Sequence, residues 1–152
     1  MKEIKIIKYQ EKYNSQVKNL LYTILRYAGL QKDCSTPTHD ADLDKVGQVY
    51  RGRGQFWLAL KDEKVIGMAA ILEEDKETAK LKRMFVLPKY HGTGLGQKLF
   101  NTALKFAKEQ GYSKIILDTH ETMKRAQRFY EKNGFAKTQE ENRMVFYELT
   151  LS

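Results

Sequence analysis

Leu81-Lys82-Arg83-Met84-Phe85-Val86-Leu87-Pro88-Lys89-Tyr90-His91-Gly92-Thr93-Gly94-Leu95-Gly96-Gln97 is the stretch on which the reading of this chain turns. Leu81 to Leu87 reads as a strand. A loop with three alternate glycines follows, and from Gly94 the apolar period changes from two to 3.6. Glycines let the backbone turn with its N–H groups exposed and no Cβ in the way. The helix start adds unpaired N–H donors and partial positive charge. Together these make a site suited to phosphate or pyrophosphate. The plainer alternative is a tight strand-to-helix connection that holds nothing.

The motif excludes two common phosphate binders. A P-loop needs Gly-Lys-Ser/Thr, whereas Gly96 is followed by Gln97-Lys98-Leu99. A dinucleotide fingerprint needs G-x-G-x-x-G, but the final position falls on Gln97 or Leu99, depending on the glycine from which the count begins. Asp118 ends the next strand, as a ribose-binding acid would, yet too little chain follows it for the remaining strands of such a domain.

Working outward, Leu95, Leu99, Ala103, Phe106 and Ala107 line one helix face, with Gly111 as its stop. Lys114 to Asp118 is a β-branched strand. Met123, Ala126, Phe129 and Tyr130 mark another helix, closed by Asn133-Gly134. Arg143 to Leu151 reads as the final strand. Upstream, residues 3–8 form a short strand, and Tyr13, Val17, Leu20, Leu21, Ile24, Leu25 and Ala28 an amphipathic helix ended at Gly29. A second helix is expected over Leu43 to Tyr50. Gln55 to Leu60 and Val65 to Leu72 are strands joined by Lys61-Asp62-Glu63-Lys64, read as a hairpin loop longer than two residues. The order is βααβββαβαββ. The expected fold class is α/β of the α+β kind, with a mixed, mostly antiparallel sheet flanked by helices.

The 152 residues suit one domain spanning 1–152. With 41% hydrophobic and 11% aromatic residues the chain can bury a core, so disorder is not expected. No apolar run reaches the roughly 18 residues of a membrane span. The N-terminus carries no export signal, so the expected location is cytoplasmic. Cys34 is the single cysteine, in a polar stretch, and reads as a loop thiol. One Cys with three His (His39, His91, His120) makes no convincing zinc site, and no metal is expected. The net charge of +8 favours an anionic partner. No helix-turn-helix spacing, zinc-finger pattern or RNA-binding aromatic motif accompanies it, so nucleic acid is not the expected partner.

His91-Gly92-Thr93-Gly94-Leu95-Gly96 resembles the acetyl-CoA motif [Arg/Gln]-x-x-Gly-x-[Gly/Ala] of the GNAT family of N-acetyltransferases. Ala126-Gln127-Arg128-Phe129-Tyr130-Glu131-Lys132-Asn133-Gly134-Phe135 is similar to the family's second signature. The two occur in order, with a helix and a strand between them. The resemblance implies that the fourth and fifth strands part and that the pantetheine arm of acetyl-CoA lies in the gap. Met84, Phe85 and Val86 would then border the arm. His91, Gly92, Thr93, Gly94, Leu95 and Gly96 would cradle the pyrophosphate, with Gln97 and Lys98 in reach. Thr119, Met123, Ala126, Phe129 and Lys132 complete the implied cofactor site. Tyr130 matches the general acid that protonates the departing thiolate. The family also often pairs through its C-terminal strands, so a homodimer is an expectation here.

Two positions depart from the family pattern. His91 replaces its Arg or Gln, and Met123 its frequent Asn. The general base is open. Lys80 stands where some members carry a Glu, which leaves His120, Glu73 and Glu74 as candidates. The implied acceptor is a primary amine of a small molecule or peptide. Its pocket would use Tyr22, Arg26, Tyr27, residues 31–41, Tyr50 and Trp57. The implied function is acetyl transfer from acetyl-CoA by direct attack in a ternary complex, and the alternative is a catalytically idle CoA-binding regulatory module.

Overall fold

The computed structural model describes residues 3–29 and 41–151. Cys34, His39 and residues 31–40 of the expected acceptor loop lie outside the described residues. The elements are β1 (Lys5–Lys8), α1 (Asn14–Tyr27), α2 (Val46–Val49), β2 (Gln55–Lys61), β3 (Lys64–Glu73), β4 (Thr78–Val86), α3 (Leu95–Glu109), β5 (Lys114–His120), α4 (Lys124–Lys132), β6 (Ala136–Glu141) and β7 (Met144–Thr150). Short 3-10 turns cover Glu11–Tyr13, Ala41–Asp44 and Pro88–Tyr90. The order βααβββαβαββ holds.

The strands form one sheet in the order β1-β2-β3-β4-β5-β7-β6. Every neighbouring pair is antiparallel except β4 and β5, which run parallel. Each face carries its own core. Leu99, Phe100 and Ala103 of α3 and Tyr130 of α4 pack on Ile71, Leu81, Ile115 and Val145. On the other face Val17, Leu20, Leu21 and Ile24 of α1 pack on Phe56, Leu58, Met68 and Ala70. The apolar periods of α1 and α3 become buried stripes because burial of such side chains is the main driving force for docking a helix.

Several bounds differ from the expected ones. The helix expected over Leu43 to Tyr50 is a 3-10 turn followed by four residues of α2. Lys45, at φ −140°, breaks the helical run between them. The β2–β3 connection is a two-residue turn and not a longer loop. Lys61 pairs with Lys64, and Asp62 and Glu63 take φ of 53° and 63°, as a type I′ turn demands. Arg143 lies in a second such turn with Asn142, so the last strand starts at Met144. β4 begins earlier than expected and β5 extends to His120.

Two irregularities of β4 position the site. Its pairing with β5 runs only from Thr78↔Lys114 to Lys80↔Ile116, and beyond that the two strands part. Its pairing with β3 also skips: Met68 faces Phe85 and Ala70 faces Lys82, so Arg83 and Met84 stand against Ala69 alone. Arg83 sits in this bulge at φ 56°. A bulge adds one residue and bends its strand, which swings the end of β4 away from β5.

Candidate active site

A cavity of about 640 Å³ opens where β4 and β5 part. Its floor is Met84, Phe85 and Val86 of β4, and its far wall is Ala126, Phe129 and Tyr130 of α4. His91, Gly92, Gly94, Gly96 and Gln97 line it too, as do Ile24 and Tyr27 of α1 and Ala28 just past its end. The sequence motifs therefore meet in space, brought together by the right-handed β4–α3–β5 crossover expected of parallel neighbours.

The glycine loop has the geometry of an anion cradle. Gly92 and Gly94 adopt φ of 79° and 89°, a left-handed region that favours glycine. Gly94 is the N-cap of α3 and supplies no side-chain cap. Among the described residues the amides of Gly92, Gly94, Gly96 and Gln97 donate no main-chain hydrogen bond. α4 also starts at the cavity, from Met123 and again without a side-chain cap. Two helix N-termini thus aim at one space, and Lys124, Arg125 and Lys132 line it too. Free N–H donors, converging dipoles and three cations fit a pyrophosphate-bearing ligand. The apolar floor of Met84, Val86 and Phe129 fits an uncharged arm. Acetyl-CoA offers both parts.

The Tyr130 ring is buried, at 6% exposure, against Phe129, Phe135 and Tyr147. Its hydroxyl makes no hydrogen bond among the described residues. Among the described residues no buried side-chain polar atom lacks a partner, so this hydroxyl opens onto the cavity. Burial, then the nearby Asp118 charge, push its pKa well above the ordinary tyrosine value. The phenol therefore stays protonated.

His91 turns inward. Its Nε2 lies 3.1 Å from the Val86 carbonyl oxygen, and its ring meets Tyr27 edge-on. Burial, then the Arg125 charge, lower its pKa from the ordinary value, against the raising effect of the Val86 hydrogen bond. Donation to Val86 needs a proton on Nε2, and of the two neutral tautomers only the Nε2–H one carries it. Gln97 bridges to Asn133 at 2.8 Å and so ties the start of α3 to the end of α4.

Other expected residues lie elsewhere. Leu95 is buried beneath the loop, and Thr119 is buried in β5. Thr93 is exposed and donates to the Tyr90 carbonyl at 2.6 Å. Lys98 is exposed in the first turn of α3, outside the lining. His120 is also outside it: its Nδ1 accepts from the Thr122 amide at 3.2 Å and lies 2.9 Å from the Thr122 hydroxyl. Glu73 pairs with Arg53 at 2.9 Å, and with Glu74 it sits at the opposite end of the sheet. Trp57 packs into the core against Phe106, and Tyr50 donates to Asp42. Tyr27 does reach the cavity, whereas Tyr22 and Arg26 are exposed outside it. The reading from sequence missed Tyr90, Thr122, Lys124 and Arg125. A run of basic residues at the start of α4 was the available signal for the last two.

Among the described residues no group of three His, Cys, Asp or Glu side chains could hold a metal. No described helix is long and apolar enough to cross a membrane.

The likenesses to known proteins agree with this geometry. The chain is 37% identical to human N-acetyltransferase 8 over 111 residues, 70% of this chain and 48% of that protein. It thus spans about half the length of that curated relative. An acetyltransferase from Streptococcus agalactiae superposes with a TM-score of 0.90 at 30% identity, covering 97% of this chain and 98% of that one. The PaiA N-acetyltransferase of Thermoplasma acidophilum, solved in complex with coenzyme A, shares the fold with a TM-score of 0.79 at 21% identity, over 98% of this chain and 99% of its own. A model of the acetyltransferase (GNAT) family matches residues 19–135, and the chain belongs to that family.

Proposed function

We propose that this chain moves the acetyl group of acetyl-CoA to a primary amine of a small molecule or peptide, by direct attack in a ternary complex. The observation that carries the reading is the Tyr130 hydroxyl, without a hydrogen bond among the described residues and facing the cavity beside the β4–β5 gap. Bound acetyl-CoA supplies the activated acyl carbon. The glycine loop and the start of α4 hold its phosphates, and Met84, Phe85 and Val86 border its arm. A main-chain N–H near Val86 stabilises the charge that grows on the carbonyl oxygen. As the C–N bond forms and the C–S bond breaks, Tyr130 gives its proton to the leaving sulfur. Water carries a proton from the amine back to Tyr130, so the phenol is restored and the thiol leaves neutral.

The idle-module reading has one observation in its favour: none of Glu73, Glu74 and His120 lines the cavity. Calorimetric titration with acetyl-CoA, followed by turnover of an amine panel, separates the two. Micromolar binding with turnover supports transfer. Binding without turnover of any amine supports the idle module, and no binding at millimolar ligand overturns both.

A further inference from the structure

Lys82 is a half-buried cation of β4. It stands on β4 opposite Ala70, which places it on the α1 face of the sheet. Among the described residues it makes no hydrogen bond or ion pair. The charges around it are Asp42, Arg83, Lys80 and Asp118. Arg83 is closed onto Asp42 at 2.6 Å, and Lys80 leans toward Asp118 at 3.9 Å. Each of these acids thus sits against another cation, and Lys82 itself makes no ion pair among the described residues. Burial holds its ammonium below the ordinary lysine range, so its environment favours an incoming anion.

The position of this cation matters. Strands β4 and β5 part after Lys80↔Ile116, so Lys82 and Asp118 stand on the two lips of the gap. The Asp118 charge also reaches the Tyr130 phenol, so the cluster borders the proposed reaction centre. On this face α1 and α2 cover strands β2 to β4. Asp118 and His120 of β5 pair with Phe146 and Met144 of β7, and among the described residues no helix packs over them. With the donor in the cavity lined by α3 and α4, this face, left uncovered by any described helix, is the approach argued for the acceptor.

We propose that Lys82, with Lys80 beside it, receives a carboxylate carried by the acceptor, whose class is then a small amine bearing a carboxylate a few bonds from the nitrogen. This rests on the acetyl-transfer reading above. A carboxylate would give the Lys82 ammonium the ion-pair partner that it lacks among the described residues. An amine without an anion would bring only its own positive charge toward the ammonium groups of Lys82 and Lys80, and that repels.

The test compares glycine, β-alanine and aspartate with their carboxamides as acceptors, at saturating acetyl-CoA. For the wild type we expect the acids to be favoured in kcat/KM by about ten- to hundredfold, the size of one charge-assisted hydrogen bond. Lys82→Gln should erase most of that preference through KM, and Lys82→Glu should reverse it. Lys114→Gln, a cation farther along the same face, should keep it. Acetyl-CoA affinity measured by calorimetry reports that each variant is folded. If carboxamides are acetylated as well as the acids, or the preference survives Lys82→Gln, the inference falls while acetyl transfer stands. An equal loss of kcat on acids and carboxamides would make Lys82 a proton acceptor and overturn the anion site. Acetyl-CoA binding without acetylation of any acceptor would overturn the transfer reading, and this inference with it.

Discussion

Arg83 grips Asp42 with two nitrogens: Nη2 lies 2.6 Å from Oδ1, and Nε 3.1 Å from Oδ2. The side chains are 9% and 10% exposed, and the Tyr50 hydroxyl donates to the same carboxylate at 2.6 Å. The pair ties the segment that begins at Ala41 to the bulge of β4. It also holds Arg83 at a positive φ, which costs a non-glycine residue roughly 1–2 kcal/mol. The floor of the cavity is thereby fixed from the opposite face of the sheet.

Removing Asp42 takes the two-pronged partner from a buried guanidinium. Asp42→Ala should cost about 3–5 kcal/mol of stability, read by denaturant unfolding. Arg83→Lys should not restore it, because an ammonium lacks the two-pronged geometry. Burial raises the Asp42 pKa, but the bonds from Arg83 and Tyr50 outweigh it and leave the carboxyl below its ordinary value. A depressed folded pKa stabilises above the unfolded value of about 3.9 and is lost as pH falls through the folded one. Asp42→Asn should therefore flatten the stability curve below about pH 4. An unchanged acid limb would rule this out.

Tyr130→Phe keeps the ring and deletes only the acid. Turnover should fall about 10²- to 10⁴-fold while acetyl-CoA affinity stays within about twofold. Steady-state kinetics and calorimetry on the same preparation read the two effects. Equal turnover by the variant would remove Tyr130 from the chemistry.

Gly94→Val places a β-branched side chain at φ 89°. The space around Gly94 is open, so the penalty is conformational and not steric. The loop should relax and the cradle should lose its aim. Acetyl-CoA affinity should drop about tenfold or more, the worth of one or two charge-assisted hydrogen bonds. Gly111→Val also strains a positive φ, but away from the cavity, and should leave affinity intact.

His91 has a lowered folded pKa, so its neutral form is the one the fold prefers. Its contribution is present above the unfolded value of about 6.5 and is lost as pH falls through the lower folded value. His91→Gln keeps an N–H donor for Val86 without a titrating ring. Thermal melting should then lose less between about pH 6.5 and pH 5 than in the wild type. A steeper loss in the variant would contradict the assignment.

Much of this was legible locally. The period of α1 and α3, the glycine loop and the Ala126–Phe135 segment are each set by neighbours within a few residues, and the structure brings the two motifs to one cavity. β6 was not placed by its residues because all six are exposed and no alternation marks them. The two-residue turn at Asp62-Glu63 was missed because neither residue is glycine, although both adopt positive φ. Trp57 and Tyr50 looked like a binding wall because aromatic residues serve core and pocket alike, and only packing distinguishes the two.

The amino-acid sequence by itself determined the element order, the alternate glycines that need positive φ, and the place of Tyr130 on an amphipathic helix, because hydrophobic period and backbone freedom are properties of short stretches. Only the tertiary structure decided that β4 parts from β5 after Lys80, that the Tyr130 hydroxyl opens to the gap, that His91 turns to Val86, and that Lys82 makes no ion pair among the described residues. Those outcomes depend on strand register and on which distant charges meet in the interior, as Asp42 and Arg83 do, and no local pattern encodes either.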